Sequence, residues 1–310
     1  MRGWPYFVLS CIIIGDDRNF TNKTLTIKRE IMSNLPLYPG SLDPEKESYQ
    51  LIFNDEFDSA RFDRSKWLES DQPDVAGQRR SYMGGWPNIS QGGGEFTIKA
   101  TYQKDKVING QKYDYQSAWI QTIDKFTGPL YIEARMKLPS NTKWMQTMFD
   151  MIPTIPDRYA SWLKSMTIRV VATWQDNGTF LNHEIIYGGD GDVSRTVKRE
   201  QNSTVSDYHV YAFVVKDDRV QILVDGEVLA EKLTNTTLAG QNLTGNQPFD
   251  IEFQPRLGIA FRGIYIAGLA EALPQQMVID YVRVYKPVEL QEEERGGNTI
   301  RGRKMRLIQG

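Results

Sequence analysis

Cysteine and histidine are scarce in this chain. Its 310 residues include one cysteine, Cys11, which lies in a short apolar run close to the start. The rest of the chain therefore has no disulfide, and its stability has to come from a packed core. The two histidines, His183 and His209, are interpreted as ordinary strand residues, because so few ligands of this kind do not make a zinc site.

The chain also lacks an excess of one charge and a long apolar run. The 37 basic and 39 acidic side chains give a net charge of −2, which argues against general binding of nucleic acid. The apolar run near the start covers residues 7–14, far short of the ~20 residues that cross a bilayer. We therefore expect no nucleic-acid partner and no transmembrane anchor.

The first residues are ordered like a secretory signal peptide. Arg2 precedes the apolar run and the polar residues Asp16 and Asp17 follow it, which predicts a signal peptide over residues 1–15 and a secreted protein. An alternative interpretation takes residues 8–11 as a bacterial lipoprotein cleavage box. Seven Asn-X-Ser/Thr sequons favour the eukaryotic secretory route and predict glycosylated surface positions. These sequons begin at Asn19, Asn22, Asn88, Asn177, Asn202, Asn235 and Asn242.

Three regions follow the signal peptide. Residues 16–48 are polar and contain Pro36, Pro39 and Pro44, which predicts an irregular glycosylated arm. Residues 49–287 alternate apolar and polar side chains between turn residues, with a hairpin signal at Asp225-Gly226 and no helical period. This pattern predicts a single all-β sandwich domain. Residues 288–310 carry clustered charges of both signs, which predicts a mobile tail.

Seven segments of the sandwich region occur in a characteristic order. They cover residues 51–57, 115–120, 133–139, 207–211, 224–226, 248–253 and 280–285. Together they resemble glycoside hydrolase family 16, and within it the animal laminarinases and β-1,3-glucan recognition proteins. The resemblance covers residues 49–287. It implies a concanavalin A-like jelly roll of two curved antiparallel sheets, with a glycan cleft on the concave face.

The family's catalytic strand is the most altered segment. A retaining glycosidase uses two carboxyl groups about 5–5.5 Å apart, and the resemblance implies three acids in the pattern Glu-x-Asp-x-x-Glu on one strand. Strand alternation and a bulge bring all three to one face. At the matching positions this chain has Thr167, Arg169 and Ala172, none of which supplies a carboxylate. We therefore interpret the chain as a catalytically dead homologue.

The register of this strand depends on the residues before it. Tyr159, Trp162 and Ser165 stand at the spacing that leads into the strand in animal members of the family. If the register were different, a surviving hydrolase would need acids from elsewhere. The candidates for that alternative are Asp150, Glu184 and Asp190.

The sugar-stacking residues of the cleft are altered as well. Relatives that bind glucan have several tryptophans before the catalytic strand, of which only Trp144 is present here. We expect a ligand surface formed by the tryptophans and arginines near the cleft. The candidates are Trp86, Trp119, Trp144, Trp162, Arg169, Trp174 and Arg262. Arg169 and Arg262 also suggest a cleft that accepts anionic glycans or a carboxylate of a partner.

The resemblance has one implication for metals and two for function. Family members often carry a structural calcium on the convex face, and Glu56 and Asp280 lie in the segments that approach it; no other cofactor is indicated.

The first function is a secreted, non-catalytic protein that binds a β-glucan or another extracellular glycan. The second is a structural or assembly protein of an extracellular matrix, coat or secretion, with self-association or other secreted proteins as partners.

Overall fold

The computed structural model describes most of the sandwich region and little outside it. The described residues are 35–44, 46–73, 81–85, 87–139, 145–164, 166–173, 180–189, 192–201, 207–236, 238, 241–261, 269–288, 290–291 and 306–307. Residues 1–38 form one compact unit and residues 39–310 a second. In the first unit, the described residues 35–38 contain no helix or strand.

The regular elements described in the second unit are almost all strands. They are β1 (Tyr49–Asp55), β2 (Trp67–Glu69), β3 (Asp71–Pro73), β4 (Ser81–Gly84), β5 (Ile89–Gly92), β6 (Glu95–Ile108), β7 (Gln111–Ser117), β8 (Trp119–Thr122), β9 (Leu130–Lys137), β10 (Met145–Thr154), β11 (Thr167–Thr173), β12 (Phe180–Gly189), β13 (Asp192–Gln201), β14 (His209–Val215), β15 (Arg219–Val224), β16 (Glu227–Leu233), β17 (Glu252–Phe261), β18 (Gln275–Pro287), β19 (Leu290–Gln291) and β20 (Arg306–Leu307). A 3-10 turn at Asp157–Tyr159 and a short helix, α1 (Leu269–Ala272), complete the described elements.

Two large sheets form the sandwich. The eleven-stranded sheet has the order β16-β15-β14-β9-β18-β6-β7-β4-β3, with β1 paired to β18 and β5 paired to β6. The seven-stranded sheet has the order β13-β12-β11-β10-β17-β8-β2. Nearly all pairs are antiparallel, and β4 with β7 is parallel. This is the jelly-roll sandwich of two sheets that the sequence predicts, so the fold prediction is confirmed.

The core lies between the sheets because each strand turns alternate side chains inward. On β9, Leu130, Ile132 and Met136 are fully buried in the main core cluster. On β11, Ile168 and Val170 belong to the same cluster. The faces that point away from this core are called here the cleft-side face, on the seven-stranded sheet, and the arm-side face, on the eleven-stranded sheet.

The hairpin predicted at Asp225-Gly226 is confirmed. These two residues have φ values of +51° and +82°, which a two-residue turn between twisted strands requires. They join β15 to β16, and Val224 pairs with Glu227 across the turn.

The segments at the two ends of the sandwich region differ. The described residues 39–44 and 46–48 contain no strand, and Leu42 packs with Tyr131 and Tyr285 on the arm-side face. In the charged tail, β19 and β20 pair with each other. The mobility of the tail stays a prediction.

Candidate functional site

The three residues at the predicted acid positions share the cleft-side face of β11. Asp150 on β10 pairs with Arg169, but the preceding Phe149 pairs with Val171, so Val170 is an extra residue in β11. A bulge in this strand is what the family resemblance implies. Because of it, Thr167, Arg169 and Ala172 all lie on the face opposite the core.

Arg169 belongs to a row of four charged side chains that crosses four neighbouring strands. The register places Glu184 of β12 beside Arg169, Arg169 beside Asp150, and Asp150 beside Arg256 of β17. Arg169 forms an ion pair with Glu184, and Arg256 Nη2 lies 3.0 Å from Asp150 Oδ2. We call Glu184, Arg169, Asp150 and Arg256 the charge row. Its signs alternate and its net charge is zero.

The charge row occupies the floor of the candidate cleft. The four side chains are between 9% and 29% exposed, so water reaches them only in part. Each carboxylate faces a guanidinium that stays protonated in proteins. A general acid must carry a proton and a nucleophile must be able to approach the sugar. Asp150 and Glu184, the alternative acids, are held in ion pairs instead.

Trp119 is the described candidate aromatic that borders this row. It is half-buried on β8 and packs with Met83, Met148 and Ala260. The Arg256 guanidinium carbon lies 5.9 Å from its ring centroid. Gly258 of β17 lies opposite Trp119. Only glycine fits there, because a Cβ on Gly258 would lie 2.5 Å from the Trp119 Cβ.

Trp162 lies in a different place. It is 6% exposed, belongs to the main core cluster and packs edge-on against Tyr159 at 5.8 Å. Its ring is therefore part of the core and offers no surface to a sugar. The other candidates on the cleft, Trp86, Trp144, Trp174 and Arg262, lie outside the described residues, as does Asp190.

Much of the cleft floor is closed. In the row next to the charge row, Asn182 pairs with Ala172 and Ala172 pairs with Met148. These three residues are 7%, 0% and 5% exposed. Gln146, where a glucan-binding relative would have a tryptophan, is 2% exposed. In the described residues, the floor is therefore less aromatic than the resemblance implies.

The two acids expected near a calcium site are both engaged by arginines. Glu56 accepts hydrogen bonds of 2.9 and 2.7 Å from Nε and Nη2 of Arg283, and Asp280 accepts one of 2.7 Å from Arg135. Among the described residues, no three histidine, cysteine, aspartate or glutamate side chains cluster as metal ligands do. The calcium site stays a prediction, without a ligand set in the described part of the chain.

Three of the predicted glycosylation sites are described. Asn235 and Asn242 are exposed. Asn88 is 4% exposed, and its amide nitrogen lies 3.3 Å from the Ser117 carbonyl oxygen, to which it donates. A glycan on Asn88 would replace one of the two hydrogens on this nitrogen, which also lies 3.5 Å from the Gly84 carbonyl oxygen, and would need space that the buried side chain does not have. Asn19, Asn22, Asn177 and Asn202 lie outside the described residues.

Sequence reasoning missed two features. One is the pairing of Asp150 with Arg256. The apolar alternation of β10 and β17 indicates which face each residue lies on, but the pairing also depends on the register between the two strands. The other is the pair Glu133 and Arg283, both 0% exposed on the arm-side face. Their strands alternate as a half-exposed sheet does, so burial was not expected there.

The described part of the chain contains no helix that is long and apolar enough to cross a membrane.

Comparisons with known proteins give similarity in sequence and in fold. The chain is 29% identical over 270 residues to glucan endo-1,3-beta-glucosidase A1 of Niallia circulans, covering 79% of the chain and 39% of that protein. It is 25% identical over 244 residues to keratan-sulfate endo-1,4-beta-galactosidase of Sphingobacterium multivorum, covering 77% and 55%. The chain thus spans between about two fifths and just over half of the length of these relatives. No model of a known protein family matches it.

The solved structures agree with this. A non-specific endo-β-1,3(4)-glucanase from glycoside hydrolase family 16 superposes with a TM-score of 0.63 at 20% identity, over 77% of this chain and 92% of that one. The chain therefore has the jelly-roll fold of the family 16 glucanases and is similar to them in sequence.

Proposed function

We propose that the chain is a secreted, N-glycosylated and non-catalytic member of glycoside hydrolase family 16 that binds a β-glucan or a related extracellular glycan. The observation that carries the proposal is the outer face of β11, where Thr167, Arg169 and Ala172 stand on the face that carries the acids in the family. Seven sequons and the signal-like start support the secretory route.

The loss of catalysis follows from the chemistry of these three residues. A retaining mechanism needs one carboxylate to attack the sugar and a second to donate and accept the proton. Alanine and arginine do neither, and a threonine hydroxyl is a weak nucleophile without a neighbouring base. Arg169 also holds Glu184 in an ion pair, so the nearest carboxylate on this face is not set up to replace the missing pair.

Glycan binding is supported by what remains on the same face. The charge row offers guanidinium donors and carboxylate acceptors, and sugar hydroxyls can pair with both. Trp119 lies beside Arg256 at the end of the row, where a partly exposed indole can stack on a pyranose ring. Because each arginine of the row has an acidic neighbour, the floor favours a neutral glycan over the anionic ligand that Arg169 alone suggested.

A second candidate function is an extracellular scaffold. The observation in its favour is the burial of Asn182, Ala172 and Met148 on the cleft floor, because a surface that is already covered has less to offer a polysaccharide. In this function the sandwich contributes its shape, and self-association or other secreted proteins supply the contacts.

Hydrolysis is the first test. The purified protein incubated with laminarin should release no reducing sugar above a heat-treated sample. A triple variant, Thr167→Glu with Arg169→Asp and Ala172→Glu, restores the family pattern; any hydrolysis it gains would show that the face is a preserved cleft. Turnover by the unmodified protein would overturn the non-catalytic assignment.

Binding is the second test and separates the two functions. We expect micromolar binding to laminari-oligosaccharides, and we expect the affinity to fall at least tenfold in Trp119→Ala. Tyr102→Ala is the matched control, because Tyr102 is a 41% exposed aromatic on the β6–β7 hairpin and outside the charge row. Equal loss in both variants, or no binding to any neutral or anionic glycan combined with concentration-dependent self-association, would favour the scaffold.

A further inference from the structure

A short segment before the first strand is fixed to the arm-side face at three consecutive residues. A Cβ on Gly40, whose φ is +84°, would lie 2.4 Å from backbone atoms of Asp225, so only glycine fits this approach. The Ser41 hydroxyl lies 2.9 Å from that of Tyr281. The Leu42 backbone N–H donates a 3.0 Å hydrogen bond to Glu133 Oε2. We call residues 40–42 the clasp.

The clasp covers a carboxylate that is poorly compensated. Glu133 and Arg283 are both 0% exposed. Arg283 uses Nε and Nη2 on Glu56, while its Nη1 lies 4.0 Å from Glu133 Oε1. One guanidinium thus serves two carboxylates, and Glu133 Oε1 is buried without a hydrogen bond. Leu42 is itself 2% exposed and packs with Tyr131 and Tyr285 beside this carboxylate.

No other neighbouring group supplies a positive charge among the described residues. Tyr131, Tyr281 and Tyr285 surround Glu133, and burial raises the pKa of all three phenols, which remain neutral below pH 9. Ala212, opposite Glu133 on β14, does not titrate. Glu47, just beyond the clasp, acts on Tyr131 as a further negative charge.

Burial raises the pKa of Glu133 from 4.5 to about 7. The hydrogen bond from Leu42, the charge of Arg283 and a hydrogen bond from the Tyr281 hydroxyl act in the opposite direction and do not overcome it. A carboxyl group with these surroundings is neutral in mildly acidic solution and ionised in mildly alkaline solution.

We propose that the clasp is a pH-dependent attachment, which holds residues 40–42 on the arm-side face while Glu133 carries its proton and loosens when Glu133 ionises. Release of the clasp exposes the carboxylate to water, which stabilises the ionised form.

The sign follows from proton linkage. The attached state binds the proton more tightly than the released state, so acid favours attachment and the preference is lost as pH rises through about 7. If Glu133 returns to its ordinary pKa of 4.5 on release, attachment weakens by up to about 70-fold between pH 5 and pH 8.

Hydrogen exchange of the full-length protein tests this. The amide of Leu42 is followed by mass spectrometry between pH 5 and pH 8, with rates divided by the intrinsic rate at each pH and by a core amide of β10. We expect its protection to fall with pH by tens of fold. In Glu133→Gln, which keeps an acceptor for the Leu42 N–H, the pH dependence should disappear.

Two further variants keep the outcome decisive. Glu231→Gln alters an acid on the β15–β16 hairpin that bonds Gln221, and it should behave as the unmodified protein. Gly40→Ala, which cannot fit against Asp225, should release the clasp at every pH and leave Leu42 unprotected. Constant protection of Leu42 from pH 5 to pH 8, or a pH dependence that survives in Glu133→Gln, would overturn the proposal; if Glu133→Gln does not fold, protection in Gly40→Ala as high as in the unmodified protein would do the same.

Discussion

The two outer faces of the sandwich carry arginine–carboxylate groups that are built differently. On the cleft-side face, the charge row alternates in sign, and its side chains are between 9% and 29% exposed. On the arm-side face, Arg283 stands between Glu56 and Glu133, and Arg283 and Glu133 are 0% exposed. Glu56 is 17% exposed, and we call these three residues the trio. The row is balanced by strand register, whereas the trio has one cation for two acids.

The difference indicates where charged groups affect the stability of this fold most. Charges that meet at a partly wet surface are screened, so their removal has modest effects. Charges that are fully covered depend on each partner, because a lost partner leaves an ion with no water around it. Free energies of unfolding should therefore be far more sensitive to the trio than to the row.

The largest effect is expected from Arg283→Met. It leaves Glu56 and Glu133 without their cation, and removal of one partner from a buried ion pair costs about 3–5 kcal/mol. Urea unfolding at pH 8 measures it. Arg135→Met is the matched control, because Arg135 pairs with Asp280 on the same face but both side chains are 20% exposed. Equal losses in the two variants would contradict the contrast between buried and wet pairs.

The pH dependence of stability comes next. The pKa of Glu133 is about 7 in the folded protein and 4.5 as the ordinary value, so its contribution is full below pH 4.5 and is lost as pH rises to about 7. At about 1.4 kcal/mol per pKa unit, this amounts to about 3 kcal/mol. Urea unfolding from pH 4.5 to pH 8 should show the decline in the unmodified protein and lose most of it in Glu133→Gln. A flat profile in both proteins would show that burial does not raise the pKa of Glu133.

These features show what the sequence could and could not predict. Alternation and turn residues were enough for the sandwich and for the Asp225-Gly226 hairpin, whereas the bulge in β11 was implied by the family resemblance. The resemblance put Arg169 on the outer face beside Thr167, and the extra residue returns Ala172 to the same face because it reverses the alternation. The partners of Arg169 and Asp150 depend on how neighbouring strands are aligned, and that alignment is set by contacts far apart in the chain.

Burial was harder to predict than strand direction. Trp162 stands at a family spacing, but it follows a 3-10 turn at Asp157–Tyr159, where no period says which way a side chain points. Glu133 lies on the outer side of β9, which alternation predicts as solvent-facing. Leu42, in the irregular arm, packs on this face and donates its backbone N–H to the carboxylate, and an irregular segment carries no pattern that reveals where it packs.

Within the charge row, the coupling of Arg169 with Glu184 should be smaller than any effect in the trio. Arg169→Met, Glu184→Gln and the double variant form a double-mutant cycle. We expect an interaction energy of about 1 kcal/mol, because the pair is bonded but partly reached by water. Urea unfolding at neutral pH measures it. A coupling above about 3 kcal/mol would mean that the row behaves as a buried network.

The smallest effect is expected from Lys125→Met. Lys125 Nζ lies 3.3 Å from Glu252 Oε2, and the two side chains are 44% and 48% exposed. Exposed pairs of this kind contribute about 0–1 kcal/mol, since Coulomb attraction in water is offset by the side-chain entropy lost in holding the pair. The free energy of unfolding, measured in urea, should change by less than about 0.5 kcal/mol, and high salt should abolish the change. A loss of stability as large as the interaction energy between Arg169 and Glu184 would show that side-chain exposure does not determine how much each ion pair contributes. The contrast between the two faces would then depend only on the number of charges of each sign.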